Sequence, residues 1–206
     1  MPIEMAALVA PATTAVLLMD VQRGLVGDLA DDSSLGVGGN HVPAIARLVC
    51  AARATGIRIV HCTAAFRPDG AGSMDNAPLL RIALKRRDRF LIGSPQTQPA
   101  LEVGLAPEDV VSERFHAVGG FIGTNLDPVL RSIGAKTVVI AGNSLNIGVI
   151  ALVTQAIDFG YRVAIPRDAV TGVPSEYGHL MLEHSFALLA KITTVDELTA
   201  TWQAQL

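Results

Sequence analysis

Cysteine is nearly absent. The 206-residue chain has two, Cys50 and Cys62, with no CxxC pair and no ladder of spacings, which leaves no basis for a disulfide framework or a zinc site and makes a reducing compartment the default. Charge is also sparse, at 17% of residues with a formal net charge of -3, so no nucleic acid and no membrane is expected as a partner. The start, MPIEMAALVAPATTAVLL, carries Glu4 and no basic segment ahead of its apolar residues, and Pro11 interrupts the run. That is not a convincing signal peptide. No stretch of about 18 apolar residues lacks a polar or turn residue, the minimum for a spanning helix. A soluble, cytoplasmic protein is the expectation. Internal repeats, low-complexity segments and linkers are missing too.

What is present is apolar sequence, half of the chain, with proline and glycine close to average usage. This suffices for a real core and fits one domain over residues 1–206. Thr13 to Met19 is a near-continuous apolar run stopping at Asp20, as in a strand buried on both faces of a parallel sheet. Gly24 to Asn40 reads as loop. Val42 to Thr55 has helical spacing and ends at Gly56, and Ile57 to Cys62 follows as a strand. Gly56, Gly134 and Gly160 each stand between an amphipathic run and an apolar one, the position of a left-handed C′ residue. The stretch Thr137 to Asp168 then reads strand, polar turn, helix, strand. Repeated helix, glycine, strand junctions with right-handed crossovers predict an α/β fold, a Rossmann-like doubly wound, mostly parallel sheet with helices on both faces.

Smaller signals fill the rest. Asp109 to Phe115 reads as a third strand, and Thr124 with Asp127, like Thr194 with Glu197, has the spacing of a capping box opening a helix. The run Arg81, Lys85, Arg86, Arg87, Arg89 around Asp88 reads as a solvated helix face in preference to an anion patch. Cys50, in mid-helix, and Cys62, at a strand end, both read as packing residues.

In such a sheet, ligands bind where the carboxyl ends of the strands gather. The rim then holds Asp20 and Gln22, Thr63, Arg114 and His116, the loop Gly142 to Gly148 with Asn143, Ser144 and Asn146, and Asp168. An acid, a cation or imidazole, and a polar turn at a helix start make a general-acid or general-base site with an oxyanion pocket. Ser144 sits in GNSLN without the second glycine of a nucleophile elbow, and reads as a helix N-cap.

Three segments in order, VLLMDVQRGLV, RFHAVGGFIGTNLDPVLRSIGAKTVVIAG and NIGVIALVTQAIDFGYRVAIPRDAV, span about Ala15 to Val170. In these the chain resembles the isochorismatase-like hydrolase superfamily. The resemblance implies a Rossmann-like sheet and a homodimer or larger homo-oligomer acting on a small-molecule substrate. Amidohydrolases of that family use an Asp, a Lys and a Cys. Asp20 matches the Asp; Arg114 or His116 stands nearest the Lys; Gly148 falls where the thiol is expected, which removes thiol chemistry. Family members that cleave a vinyl ether also carry glycine there, preceded by His and Ile, where this chain has Asn146, Ile147 and Gly148. In them the Asp protonates the alkene carbon.

The expected catalytic residues are therefore Asp20, Arg114 and Gly148, with Gln22, His116, Asn143, Ser144 and Asn146 binding a small, anionic substrate. A guanidinium beside Asp20 favours a base, whereas a buried, protonated Asp20 favours an acid. No cofactor is expected. No metal is expected either: TAAFRPDG offers only Asp69 beyond His61, and His179 and His184 are five apart, off the spacing that puts two ligands on one helix face. The alternatives are a catalytically silent binding protein of the same fold and an amidohydrolase with a different nucleophile.

Overall fold

A computed structural model describes residues 3–30 and 39–206. Part of the loop expected over Gly24 to Asn40, residues 31–38, lies outside the described residues. The order of elements is α1 (Met5–Leu8), β1 (Thr14–Met19), α2 (Val42–Ala54), β2 (Arg58–Ala64), α3 (Pro78–Lys85), β3 (Val110–Arg114), α4 (Leu126–Ser132), β4 (Thr137–Gly142), a π-helical turn Leu145–Val149 running into α5 (Ile150–Asp158), β5 (Arg162–Pro166), α6 (Ser175–Met181), a second π-helical turn Leu182–Phe186 leading to α7 (Ala187–Leu189), β6 (Lys191–Thr193) and α8 (Val195–Gln203). The six strands form one sheet in the order β3-β2-β1-β4-β5-β6, and each neighbouring pair is parallel.

Both faces of the sheet are covered. Ala15, Leu17 and Met19 of β1 point into one apolar cluster with Leu152 and Val153 of α5 and Phe186. Val16 and Leu18 point into the other, with Ile45 and Leu48 of α2 and Trp202 of α8. This is why β1 and β4 read as unbroken apolar runs: every residue in each is buried. Gly56, Gly134 and Gly160 have φ of +73°, +72° and +88°, the left-handed conformation their place in the sequence predicts. Among the described residues no helix is long and apolar enough to cross a membrane.

Local expectations divide. Thr194 Oγ1 accepts from Glu197 N while Glu197 Oε2 accepts from Thr194 N, the predicted capping box. The box expected at Thr124 and Asp127 does not form. α4 starts at Leu126, Thr124 Oγ1 donates to Gly120 O, and Asp127 accepts instead from Tyr161 and Arg131. Cys50 is exposed, not core, because the buried stripe of α2 is Val42, Ile45, Leu48, Val49 and Ala52. Cys62 is 1% exposed within the first cluster, as expected.

The chain leaves β1 toward β2 and β3 on one side and returns through β4 toward β5 and β6 on the other. The reversal lies between β1 and β4, so the crevice beyond their carboxyl ends is the natural ligand site. Asp20 follows the last residue of β1, and Asn143 follows the last residue of β4.

Candidate active site

Gly142 ends β4 at φ +115°, and a Cβ there would lie 2.1 Å from Met19 O. Only glycine permits this approach. It brings Asn143 N to Met19 O at 2.8 Å, and Asn143 Nδ2 donates to Asp20 O at 2.9 Å. Asp20 N donates to Cys62 O at 3.0 Å. Asp20 is thus tied by its backbone to both neighbours of the switch point, in a left-handed conformation with φ +55°. An Asp tolerates this conformation better than most residues, and a single such residue costs about 1 to 2 kcal/mol.

Across the crevice, β3 delivers Arg114. Its Nη1 and Nη2 each lie 2.8 Å from one Asp20 carboxylate oxygen, and its Nε donates to Ala117 O at 3.3 Å. The side chains of Arg114 and Asp20 are 9% and 16% exposed. Burial works against the guanidinium charge, and the Asp20 carboxylate outweighs it, raising the Arg114 pKa above its ordinary value. Two donors meeting two acceptors is the arrangement of an ionised carboxylate; a protonated one would direct a hydrogen at the fork.

This pair lies on the floor of a cavity of about 480 Å³ whose lining includes His116, Asn143, Ser144 and Gly148, a size usual for small-molecule sites. β3 ends at Arg114, and His116 lies in the bend just beyond it. The sequence posed them as alternatives, and both line the cavity. Among the described residues, His116 Nδ1 is buried without a hydrogen-bond partner, as is Asn143 Oδ1. Ser144 occupies the N-cap position of the π-helical turn but makes no capping hydrogen bond, so its hydroxyl is left to the cavity.

Gly148 is enclosed. A Cβ there would stand 2.9 Å from Asn143 O and 3.0 Å from Met19 Cε, closer than packed atoms allow without a shift. No cysteine appears among the described residues that line the cavity. Cys62 is near the ion pair, yet burial pushes its thiol up to about 12, with Arg114 lowering it and Asp20 raising it by smaller amounts. It is not poised as a thiolate nucleophile.

Two expected binding residues do structural work instead. Gln22 is fully buried, with Nε2 donating to Ala64 O and Thr97 O and Oε1 accepting from Ala64 N, all at 2.9 Å. Its amide ties the chain after β1 to the end of β2, leaving nothing for a substrate. Asn146 clamps Val173 through both amide atoms, at 2.9 and 3.1 Å, and does not line the cavity. Asp168 also turns away, accepting from Val195 N at the start of α8. The basic run is solvated as expected, with Arg81, Lys85, Arg86 and Arg89 exposed. Arg86, Asp88 and Arg89 line the cavity, while Arg81 and Lys85 stay on an exposed helix face.

No sequence pattern singles out His41, buried beside Asn143 just before α2, whose pKa burial lowers while Asn143 raises it. The apolar wall supplied by Leu25, Phe66, Leu79, Leu80 and Phe90 was equally unforeseen. Alternation at 3.6 residues in α3 was the available signal; which way that face points is a tertiary fact.

Comparison with known proteins agrees with this fold. An uncharacterized isochorismatase family protein of Bacillus subtilis (strain 168), YwoC, is 29% identical over 189 residues, 89% of this chain and 91% of its own. A maleamate amidohydrolase of Pseudomonas putida is 28% identical over 160 residues, 76% of this chain and 71% of its own. The solved structure of an isochorismatase family protein from Burkholderia thailandensis superposes with a TM-score of 0.77 at 26% identity, covering 95% of this chain and 97% of that one. Residues 14–197 match the isochorismatase domain, and the chain belongs to the isochorismatase family of hydrolases.

Proposed function

We propose that this chain hydrolyses an amide-type bond of a small molecule without a thiol, with Asp20 as general base and Arg114 as its fixed partner. The observation that carries the reading is the two-point Arg114–Asp20 pair on the cavity floor beside Gly148, which has no side chain to attack with. An ionised carboxylate has about four lone-pair sites. Arg114 takes two, and the remainder can accept a proton from water.

As the water oxygen bonds to the carbonyl carbon, its proton passes to Asp20. Collapse of the tetrahedral intermediate breaks the carbon–nitrogen bond and returns that proton to the leaving nitrogen. Asn143 and Ser144 offer polar contacts to the substrate at this end of the cavity, and His116 lines its wall. Acid cleavage of a vinyl ether fits less well, since both carboxylate oxygens already accept from the guanidinium. The amidohydrolase name of the Pseudomonas putida relative supports the amide reading. The anionic charge expected of the substrate loses its basis at the floor, because Arg114 is engaged there by Asp20.

The test is ammonia release from a panel of primary carboxamides by wild type and by Asp20→Asn. The expected loss is about 10² to 10⁴-fold, the usual contribution of one positioned proton-transfer group. Unchanged turnover would remove Asp20 from the reaction. A second reading, a binding site without turnover, draws on the engagement of both Asp20 oxygens by Arg114 and predicts binding with no ammonia from any variant. A covalent acyl adduct on Ser144, lost in Ser144→Ala, would instead make the Ser144 hydroxyl the nucleophile.

A further inference from the structure

Asp20, Arg114, Asn143 and Ser144 line the cavity, as do Arg86, Asp88 and Arg89, and much of the remaining wall is apolar. Leu25 after β1, Phe66 after β2, Leu79 and Leu80 of α3, and Phe90 beyond it all line the space and are only half-buried. α3 is amphipathic, yet it has no buried residue. Leu79, Leu80, Ile82 and Ala83 line the cavity, and among the described residues nothing packs on them closely enough to bury them. A helix placed this way contributes little to the core, and its apolar stripe has a purpose only if something apolar enters the space.

We infer that the substrate carries an apolar body, a single ring or a branched or straight chain of several carbons, seated on Leu79, Leu80, Phe66 and Phe90, with its polar reacting group at Asp20. The inference rests on the hydrolase reading for the orientation of that group; the apolar subsite itself rests on the wall. A cavity of about 480 Å³ admits such a molecule, within the usual range of roughly 300 to 1,000 Å³ for small-molecule sites. A purely polar substrate would leave this wall wet and gain nothing from it.

The probes are acetamide, butyramide, hexanamide and benzamide, added to the full chain, with affinity read by calorimetry and ammonia release read in parallel. Each buried methylene should tighten binding about fourfold until the wall is covered, and benzamide should bind at least about tenfold more tightly than acetamide. Leu79→Asn and Phe90→Ser should flatten this size dependence. With no buried residue in α3, Leu79→Asn is expected to keep the wild-type melting temperature, and a circular-dichroism melt verifies it.

Affinity that does not change with chain length, absence of binding by the whole series, or a size dependence untouched by both wall variants would overturn the proposal. A size dependence without ammonia release would uphold the subsite while defeating the hydrolase reading. Equal hydrolysis of acetamide and hexanamide would do the reverse.

Discussion

The carbonyl of Ala117 accepts Nε of Arg114 from a backbone held at φ +73°. Asp20, which takes the other edge of the same guanidinium, is held at φ +55°. Among the described residues these are the two non-glycine positions with left-handed backbone. Strain of this kind persists where the surroundings over-determine it and gathers at functional sites. Here both instances grip one side chain and fix its plane at the cavity floor.

Replacing Ala117 with glycine should remove the steric cost of the left-handed residue, about 1 to 2 kcal/mol, against an entropic penalty of roughly 0.5 to 1 kcal/mol. Stability should stay equal or rise by up to about 1.5 kcal/mol, measured as a urea midpoint. Turnover should fall, because the carbonyl that orients Arg114 becomes free to move. A variant both less stable and fully active would contradict the positioning role.

Removing Arg114 leaves a largely buried carboxylate without its partner. Breaking a buried pair from one side costs about 3 to 5 kcal/mol, and with Asp20 at 16% exposure the lower end is expected for Arg114→Ala. Arg114→Lys keeps the charge but loses the fork, and should fall between that variant and wild type. Chemical denaturation of the three proteins measures the order.

Two buried histidines set an acid limit. Burial lowers the pKa of His61 against the opposing effect of Asp109, and lowers that of His41 against Asn143. Both rings are neutral in the fold and protonate more readily once unfolded. The unfolded chain therefore binds more protons as pH falls below the ordinary histidine value near 6.5. Stability is fully present above that pH and declines below it. Asp109 works in a separate window. Burial opposes its charge but is outweighed by Arg53, the Ala106 amide and His61, so its pKa is lowered, and its contribution is lost only below its ordinary value near 3.8. His61→Gln should flatten the decline in melting temperature between pH 7 and 5, and an unaltered slope would show that His61 does not govern it.

Thiol chemistry separates the two cysteines. Cys50 is exposed, and Cys62 is buried with its thiol pushed up to about 12. An aromatic disulfide reagent should label one thiol per native chain and two after denaturation, and labelling should leave activity intact. Rapid native labelling at Cys62 would contradict its burial.

Much of this was legible in the sequence. Buried parallel strands and glycine-ended helices write themselves as apolar runs and punctuation, so β1, β2, β4 and β5 and a doubly wound, parallel arrangement followed. Asp20, Arg114 and the turn after β4 followed from the rim of such a sheet. What escaped was decided by tertiary contacts. Gln22 and Asn146 have the chemistry of binding residues, but Ala64, Thr97 and Val173 claim their amides. Thr124 and Asp127 have capping spacing, but Gly120, Tyr161 and Arg131 offer them other partners. The three-residue β6 is too short for a period, and the cavity wall from α3 depends on a helix orientation that no local pattern encodes.

The central claim is thiol-independent chemistry at Asp20, and one comparison tests it most directly. Using the carboxamide that wild type turns over fastest, kcat/KM is measured for Cys50→Ser/Cys62→Ala and for Asp20→Asn. The cysteine-free protein should stay within about threefold of wild type, equivalent to less than about 1 kcal/mol of transition-state stabilisation, and Asp20→Asn should be lower by at least about 10². Abolished activity in the cysteine-free protein with its fold intact, or full activity in Asp20→Asn, would contradict the claim.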